Sequence, residues 1–463
     1  MQSQKKHQES TVVLILVMFT SFITPFIGSA INLALPKIGH EFQLNAVTMS
    51  WVTMAFLLSS AVFLVPIGKL ADKYGRKRIF LTGNVILALA SLLAIIAPNG
   101  TMLIVFRAIQ GIGSSMMFAT GTALITSVFP PHERGKAIGM NVTAVYVGLS
   151  AAPVLGGFLI DALGWRSLFL IPALMGIPAV IAAMVTIKGE WAEAKGEKFD
   201  LQGSIVFVLS MSTLMYGFSK LPTPPAIILT VSGLLGLAFF VRLQLKAVYP
   251  VFNVSLFQTN RLFALSNLAA LINYATTFAI TFVLSLYLQY IKGLSPREAG
   301  ILLVIQPLVM ASIASLSGRL SDKHDPRILA SAGMAVIAVG LALLIPIGRE
   351  TTVTYIGVVL GLLGLGFGLF SSPNTNAIMG SVDKRYLGLA SGTVATMRLV
   401  GQMLSMGIAT MVIHIFVGTG TINPSNYKQF ILSAGTTFAI FFALSILGVW
   451  ASLARGEKTE NTQ

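Results

Sequence analysis

The sequence predicts an all-α integral membrane protein, and three observations indicate it: the composition, the long apolar stretches and the placement of the basic residues. Of the 463 residues, 55% are apolar and only 10% are charged, whereas soluble domains carry about 25% charged residues. So few charges cannot cover a water-facing surface of this size. The net charge is +15, but the basic residues form short clusters between apolar stretches, unlike a nucleic-acid-binding face. We therefore expect a lipid bilayer as the main solvent and no nucleic-acid partner.

The membrane spans follow from the length of the apolar stretches. A bilayer core about 30 Å thick requires roughly 20 mainly apolar helical residues. Fourteen stretches qualify, and the seventh is short. They cover residues 11–35, 48–67, 79–97, 101–128, 137–160, 167–187, 203–219, 226–245, 262–290, 299–317, 328–347, 353–379, 388–413 and 430–453. The first has no small-residue cleavage site before the Pro36 loop, so it is predicted to be a span and not a signal peptide.

The basic residues predict the orientation. With the N-terminus inside, and with Arg242 at the cytoplasmic end of the eighth stretch counted as cytoplasmic, 22 Lys and Arg fall in cytoplasmic segments, 7 fall outside, and 2 lie within spans. This asymmetry is about threefold in the direction of the positive-inside rule. An even number of spans also returns the C-terminus to the cytoplasm. We expect a multi-pass protein of the cytoplasmic membrane with both termini inside.

An internal repeat predicts two related halves. GKLADK (68–73) recurs as GRLSDK (318–323), 250 residues later, with four of six positions identical. Each copy follows one apolar stretch and precedes another. Repeated halves are typical of transporters whose substrate site lies where the halves meet. If each half has six spans, spans seven and eight are the extra pair, which gives a first half at 1–187, a linker with two extra spans at 188–250 and a second half at 251–463.

Three motifs resemble those of a known family. GKLADKYGRKR (68–78) resembles the loop signature between helices 2 and 3 of the major facilitator superfamily, and LIVFRAIQGIGSS (103–115) resembles the helix-4 signature of its drug exporters. A third series resembles the helix-5 antiporter signature and consists of Gly139, Gly148, Ala152, Pro153, Gly156 and Gly157. With fourteen spans and the linker FDLQG (199–203), the chain resembles the fourteen-helix drug:proton antiporter family. The resemblance implies a major facilitator fold, with two six-helix halves plus two extra central helices, and transport by alternating access.

The loop motif predicts a cytoplasmic gate. Gly68 and Gly75 permit tight turns, while Asp72 can accept hydrogen bonds from a helix N-terminus and pair with Arg76. Such contacts can hold one closed state and release in the other. Asp322 holds the same place in the second copy, which departs from the motif at the two positions that correspond to Gly75 and Arg76. The alternative interpretation is a loop that only sets the topology.

Two arginines within spans are candidates for the transport site, because an intramembrane arginine is costly. Arg107 lies in the outer part of span 4 and shares a face with Gln110. The family resemblance assigns it to proton coupling or substrate contact, and the alternative is an anchor that extends outward to the interface. Arg398 in span 13 has less room to extend, so we expect it to be the more buried charge. Further cavity candidates, which could equally serve helix-to-helix hydrogen bonding, are Asn32, Gln289 and Asn374.

The helix-5 series predicts close helix packing. Gly148, Ala152 and Gly156 are four residues apart and therefore share one face. Pro153 removes a backbone donor and is expected to kink the helix. The full spacing favours a hinge for exporter-type alternation, and the alternative is small-residue packing alone.

Span 1 departs from the family pattern. Exporters of this branch often carry an acidic residue where this chain has Ile27, and all sixteen acidic residues fall in loops, tails or span ends. Asp161 comes closest to the membrane. A buried carboxylate is the usual proton carrier, so the candidates that remain are Asp161, Asp72 and a water network around Arg107. The two arginines favour anionic, zwitterionic or neutral substrates over cations.

The expected function is export of drugs or other amphiphilic small molecules by proton antiport. No GxxxxGK[ST] motif is present, so ATP is not the direct driver, and the absence of cysteine and the scatter of five histidines disfavour a metal site. We expect no cofactor, no enzymatic activity and a monomer driven by the proton gradient. The alternatives are an exporter or importer of an endogenous anionic or lipid-like metabolite, and a non-transporting receptor, against which the gate, hinge and arginines argue.

Overall fold

The computed structural model of the chain describes residues 2–187, 189–192, 196–321, 325–382 and 387–455. All regular structure in these residues is helical, and a π-helical turn, Tyr287–Ile291, follows the tenth helix. The helices are α1 (Gln2–Glu41), α2 (Ala46–Tyr74), α3 (Arg76–Ile95), α4 (Gly100–Val128), α5 (Pro131–Leu163), α6 (Ser167–Thr186), α7 (Leu201–Ser219), α8 (Pro224–Lys246), α9 (Ser255–Thr259), α10 (Arg261–Leu286), α11 (Pro296–Leu303), α12 (Ile305–Ser321), α13 (Pro326–Leu344), α14 (Val353–Gly380), α15 (Leu387–Val417) and α16 (Tyr427–Ala454).

Fourteen segments in the described part of the chain are long and apolar enough to cross a membrane. The ninth combines α10 with the π-helical turn, and the tenth combines α11 with α12. The predicted number of spans and the all-α membrane class are therefore confirmed. The helices extend beyond the apolar stretches, so α2 continues through GKLADK to Tyr74. The expectation of a turn at Gly68 is wrong, because that residue lies inside α2, where its Cα faces α4 near Ala119.

The chain divides into two compact units. The first comprises Met1–Leu44, Thr48–Thr213 and Ser232–Phe252, and the second comprises Asn45–Val47, Leu214–Val231 and Asn253–Gln463. The boundary between the units passes through α7 and α8. The domain limits 1–187, 188–250 and 251–463 stay a prediction.

The two units repeat the same helix packing. In the first unit α1 packs against α5, and α3 packs against α4 and α6; in the second, α10 packs against α15, and α13 against α14 and α16. A Cβ added to Gly83 in α3 would lie 2.8 Å from the Gly113 carbonyl oxygen in α4, and the reverse distance is 2.7 Å. Gly333 and Gly366 make the same reciprocal contact between α13 and α14, at 2.6 and 2.7 Å. The sequence repeat is thus also a repeat of backbone contacts.

The FDLQG linker joins the ends of α7 and α8. The Asp200 carboxylate accepts hydrogen bonds from the Gly203 amide at 2.8 Å and from Gln244 Nε2 at 2.7 Å. Gln244 Oε1 in turn accepts the Phe252 amide at 3.0 Å. A Cβ at Gly203 would overlap both Asp200 and Gln244. The linker glycine therefore allows Asp200 to cap α7 and hold the end of α8 at the same time.

Candidate functional site

A buried polar group surrounds Arg107 in the first unit. Arg107 Nε donates to the Val52 carbonyl of α2 at 3.0 Å, and Nη1 donates to Gln110 Oε1 at 2.8 Å. Gln110 Nε2 then donates to Ser91 Oγ of α3 at 2.7 Å. The guanidinium carbon lies 4.4 Å from the centre of the Phe56 ring, within cation–π range. These five residues, here called the Arg107 group, connect α2, α3 and α4.

Arg107 Nη2 has no hydrogen-bond partner among the described residues. The side chain of Arg107 is 0% exposed, and Nη2 itself is buried. An unmet buried donor on a charged group costs at least about 1–3 kcal/mol, and such groups are rare in folded proteins. Full burial excludes the interpretation of Arg107 as an anchor that extends to the interface. Nη2 can instead donate to water, to a carbonyl or to an anionic oxygen of a bound molecule.

Arg398 differs from Arg107 in its burial. Its side chain on α15 is partly exposed, whereas Arg107 is completely enclosed. The expectation that Arg398 is the more buried charge is therefore wrong. Depth along a span was the basis of that expectation, but burial depends on which neighbours the helix face meets.

The loop motif ties three helices together at one end of the first unit. Arg76 Nε and Nη2 contact Asp72 Oδ1 at 3.0 and 2.9 Å, which is an i,i+4 ion pair between α2 and α3. Arg76 Nη1 donates to Ser127 Oγ of α4 at 3.1 Å. Gly75, between the two helices, has φ +119°, a conformation that only glycine adopts without strain. We call this end of each unit the motif end.

The linker after α6 also binds the motif end. The Trp191 carbonyl accepts the Arg76 amide at 2.9 Å, and Glu190 Oε1 accepts the Lys77 amide at 2.9 Å. These amides are two of the free donors at the N-terminus of α3. A Cβ at Gly75 would overlap the Glu190 side chain. Gly75 is therefore favoured by its backbone conformation, and an added Cβ would also displace the Glu190 side chain. Sequence analysis missed Glu190, which lies more than a hundred residues away.

The motif end of the second unit is built differently. Asp322 lies outside the described residues. Pro326 stands where the first copy has Arg76, and Asp325, in place of Gly75, accepts the Arg327 amide at 2.8 Å as the N-cap of α13. The N-terminus of α13 is thus capped by a residue of its own chain segment.

Arg455, directly after α16, also contacts the motif end of the second unit. Its Nη2 donates to the Pro326 carbonyl at 2.8 Å, and Nη1 donates to Asn374 Oδ1 at 2.8 Å and to Ser266 Oγ at 3.3 Å. Asn374 Nδ2 donates to the Ser266 carbonyl at 3.1 Å. Burial lowers the pKa of Arg455 to about 10, so the guanidinium stays charged at neutral pH. The structure thus places Asn374, a predicted cavity residue, in a hydrogen-bonded cluster with Arg455.

Small residues of the helix-5 series bring α5 against α1. A Cβ at Gly148 would overlap the Phe22 carbonyl oxygen, and one at Gly156 would lie 2.7 Å from the Ala30 Cβ. Ala152, Pro153 and Gly157 are buried as well. Gly139 is exposed with nothing within 4 Å of an added Cβ. The close approach therefore depends on the later members of the series.

The remaining candidates each have a side-chain hydrogen-bond partner. Asn32 is buried and its Oδ1 accepts Thr53 Oγ1 at 2.9 Å. Gln289 lies in the π-helical turn and its Nε2 donates to Ser285 Oγ at 3.0 Å.

The carboxylates were candidates for the proton carrier, so their burial matters. Asp161 is exposed, with Oδ1 3.7 Å from Lys37 Nζ. No carboxylate in the described part of the chain is buried.

Comparison with known proteins identifies the family. The family model described as Major Facilitator Superfamily matches residues 17–272 and again residues 266–462. The chain belongs to the Major Facilitator Superfamily. The two matches cover the two halves in turn, as expected from the repeat, and membership makes the chain a transporter and not an enzyme.

Relatives within the Major Facilitator Superfamily include the riboflavin transporter RibZ of Clostridioides difficile, 28% identical over 98% of this chain and 99% of the relative. The methylenomycin A resistance protein of Bacillus subtilis is 25% identical over 98% of each chain. The multidrug resistance protein Stp of Mycobacterium tuberculosis is 27% identical over 85% of this chain and 74% of the relative. The names of the two resistance proteins agree with the drug-efflux branch that the motifs resemble.

A solved structure supports the fold. A bacterial homologue of the human lysosomal transporter Spinster, in its inward-facing and unoccupied conformation, superposes with a TM-score of 0.70 over 97% of each chain at 16% identity. At this level of identity the similarity concerns the fold. The predicted major facilitator fold is confirmed.

Proposed function

We propose that this transporter exports amphiphilic small molecules across the cytoplasmic membrane in exchange for protons, as a monomer without a bound cofactor. Both termini lie in the cytoplasm in this proposal, because 22 basic residues then face the inside and 7 the outside. The close packing of α1 on α5 at Gly148 and Gly156 supports the antiporter assignment. The names of the riboflavin, methylenomycin A and multidrug relatives support small organic substrates.

The observation that carries the proposed substrate class is the unpartnered Nη2 of Arg107. A fully enclosed guanidinium with a free donor favours a molecule that offers a carbonyl or an anionic oxygen. A cationic substrate would need a carboxylate to offset its charge, and none of the described carboxylates is buried. We therefore propose neutral, zwitterionic or anionic amphiphiles as substrates.

Proton coupling is proposed for the Arg107 group and the water it binds. Asp161 is exposed beside Lys37, and Asp72 is paired with Arg76, so neither is a buried proton carrier. One proton that crosses 100 mV supplies about 2.3 kcal/mol. This free energy supports a substrate gradient of roughly 50-fold, since about 1.4 kcal/mol corresponds to a factor of ten. The proton gradient is therefore sufficient without ATP.

A second candidate function is transport of an endogenous anionic or lipid-like metabolite, outward or inward. The same Nη2 favours it, and so does similarity to a riboflavin transporter over nearly the whole chain. The two functions share one mechanism and differ in the physiological substrate and the direction of transport.

Everted membrane vesicles test these proposals. Respiration acidifies the lumen, and a pH-sensitive dye reports proton release when cationic, neutral and anionic amphiphiles are added in turn. We expect release with neutral or anionic compounds, and loss of release in Arg107→Gln. The matched control is Arg242→Gln, which changes an exposed arginine on α8. Release with cationic compounds only would contradict the proposed substrate class, and no release with any compound would contradict proton antiport.

A further inference from the structure

Arg455, which follows the last helix of the second unit, contacts the residue that corresponds to Arg76 in the second loop motif. In the first unit, Arg76 joins α2, α3 and α4 through Asp72 and Ser127. The residue 250 positions later is Pro326, which has no side-chain donor. The guanidinium of Arg455 donates to the carbonyl of that same Pro326.

The acceptors of Arg455 come from three different helices. Ser266 belongs to α10, Pro326 to α13 and Asn374 to α14, while Arg455 itself follows α16. Both Arg76 and Arg455 therefore connect the N-terminus of the third helix of their unit to the fourth helix. Arg76 lies between the second and third helices of its unit, whereas Arg455 follows the last helix of its unit, so no sequence motif relates them.

We propose that Arg455 is the motif-end arginine of the second half, a positioning residue that holds the N-terminus of α13 against α10 and α14. The proposal rests on the proposed transport function, in which each half moves largely as one body during alternating access. The acceptors of Arg455 all lie within the second unit, so its hydrogen bonds position the helices of that unit relative to each other.

The chemistry of the site explains why arginine is needed. Arg455 is 3% exposed, and its two Nη atoms serve three acceptors at once. A lysine carries a point charge and lacks the planar fork, so it cannot reproduce this geometry. The acceptors are two side-chain oxygens of neutral residues and one carbonyl, whereas Arg76 pairs with a carboxylate. The charge of Asp325 nearby favours the protonated form of Arg455.

Cysteine labelling tests the proposal, because the natural chain has no cysteine. Ser331→Cys places a thiol on α13 at a site that is 5% exposed and beside Ser452 of α16. Its labelling rate with N-ethylmaleimide in proteoliposomes reports opening of the motif end. Ser60→Cys, on α2 and 0% exposed, is a buried control probe in the first unit, away from its motif end.

We expect Arg455→Gln to raise the labelling rate of Ser331→Cys by about tenfold and to leave Ser60→Cys unchanged, because loss of charge-assisted hydrogen bonds favours local opening. Arg455→Lys should give an intermediate rate. Asn374→Leu removes one acceptor of Arg455 and should also raise the labelling rate of Ser331→Cys. It replaces Arg455→Gln as the test variant if that variant does not fold. The control is Arg261→Gln, an exposed arginine at the start of α10, with the native rate expected.

Two results would overturn the proposal. One is a native labelling rate of Ser331→Cys in all folded variants, and the other is an equal rise at Ser331→Cys and Ser60→Cys, which indicates general destabilisation. In transport assays, Arg455→Lys should lower turnover with the substrate KM unchanged, and a change confined to KM would also contradict a positioning role. If the native chain moves no tested substrate, the proposed function fails, but the labelling rates still decide the role of Arg455.

Discussion

The third and fourth helices of the two halves share their glycine contact and differ in the side chains beside it. Gly83 and Gly113 meet in the first half as Gly333 and Gly366 meet in the second. One to two turns away, the first half has Ser91, Arg107 and Gln110 in a hydrogen-bonded group. When the two glycine contacts are aligned, the corresponding positions of the second half hold three leucines that are 0% exposed: Leu341, Leu360 and Leu363.

This difference between the halves distinguishes side chains that packing alone requires from side chains that it does not. The second half demonstrates that apolar side chains fill these positions without loss of burial. A buried charge with an unmet donor is less stable than a well-packed apolar residue of similar size. We therefore predict that Arg107 is dispensable for folding and acts in transport.

The largest expected effect is that of Arg107→Leu, which gives the first half the residue of the second. Substrate efflux from proteoliposomes should fall by about 100-fold or more, because the donor to substrate or water is lost. The unfolding temperature should stay native or rise, since a buried charge is removed. Leu360→Met in the second half is the control and should transport normally. Native efflux by Arg107→Leu would show that the group only serves packing.

The motif end provides the second prediction. Asp72→Asn removes the carboxylate that pairs with Arg76, so the gate contact weakens and efflux should fall by about tenfold or more. The variant should reach the membrane in native amount, which immunoblots of membrane fractions measure. Glu350→Gln, an exposed carboxylate away from the motif, is the control. Normal efflux by Asp72→Asn would favour the interpretation of the loop as a topology signal.

The third prediction concerns the contact of α1 with α5. Gly148→Ala should lower the free energy of unfolding by about 1–3 kcal/mol, because its Cβ overlaps the Phe22 carbonyl and the backbone must move. Gly139→Ala has open space and should be neutral or stabilise the helix by up to about 1 kcal/mol. Thermal unfolding of both purified variants measures this difference. Equal unfolding temperatures would mean that α5 adapts to the methyl group without cost.

The smallest expected effect is the excess cost of Gly75→Ala over Gly164→Ala, which separates backbone strain from the collision with Glu190. Gly164 also has a positive φ, +80°, but has nothing within 4 Å of an added Cβ. Alanine at either position should cost about 1–2 kcal/mol from backbone strain, and Gly75→Ala should cost more because of Glu190. A Glu190→Ala background should remove the excess. Thermal unfolding of the four variants tests this, and an excess that persists without Glu190 would exclude the linker as its cause.

Local patterns predicted much of this molecule. Hydropathy predicts the fourteen spans because each span is a continuous apolar stretch. The loop motif anticipates the Asp72–Arg76 pair, which joins two helices across Gly75. The i,i+3 spacing anticipates the contact of Arg107 with Gln110, since helical geometry fixes that spacing. The turn expected at Gly68 is an error of the same method, because hydropathy does not mark where a helix ends beyond the membrane.

Contacts between distant segments could not be predicted. Glu190 reaches the amide of Lys77, and Arg455 reaches Asn374 and Pro326, without any local signal in the sequence. The burial of Arg398 relative to Arg107 was misjudged because it depends on the neighbouring helices. One clue was present: Pro326 in the place of Arg76 indicated that the second motif end needed another donor.

The most direct test of the account measures proton release from everted vesicles side by side for the native protein and Arg107→Leu, with matched anionic, neutral and cationic amphiphiles. The account predicts release by the native protein with anionic or neutral compounds, and none by Arg107→Leu although equal amounts of protein are present. Undiminished release by Arg107→Leu, or release by the native protein with cations alone, would contradict it.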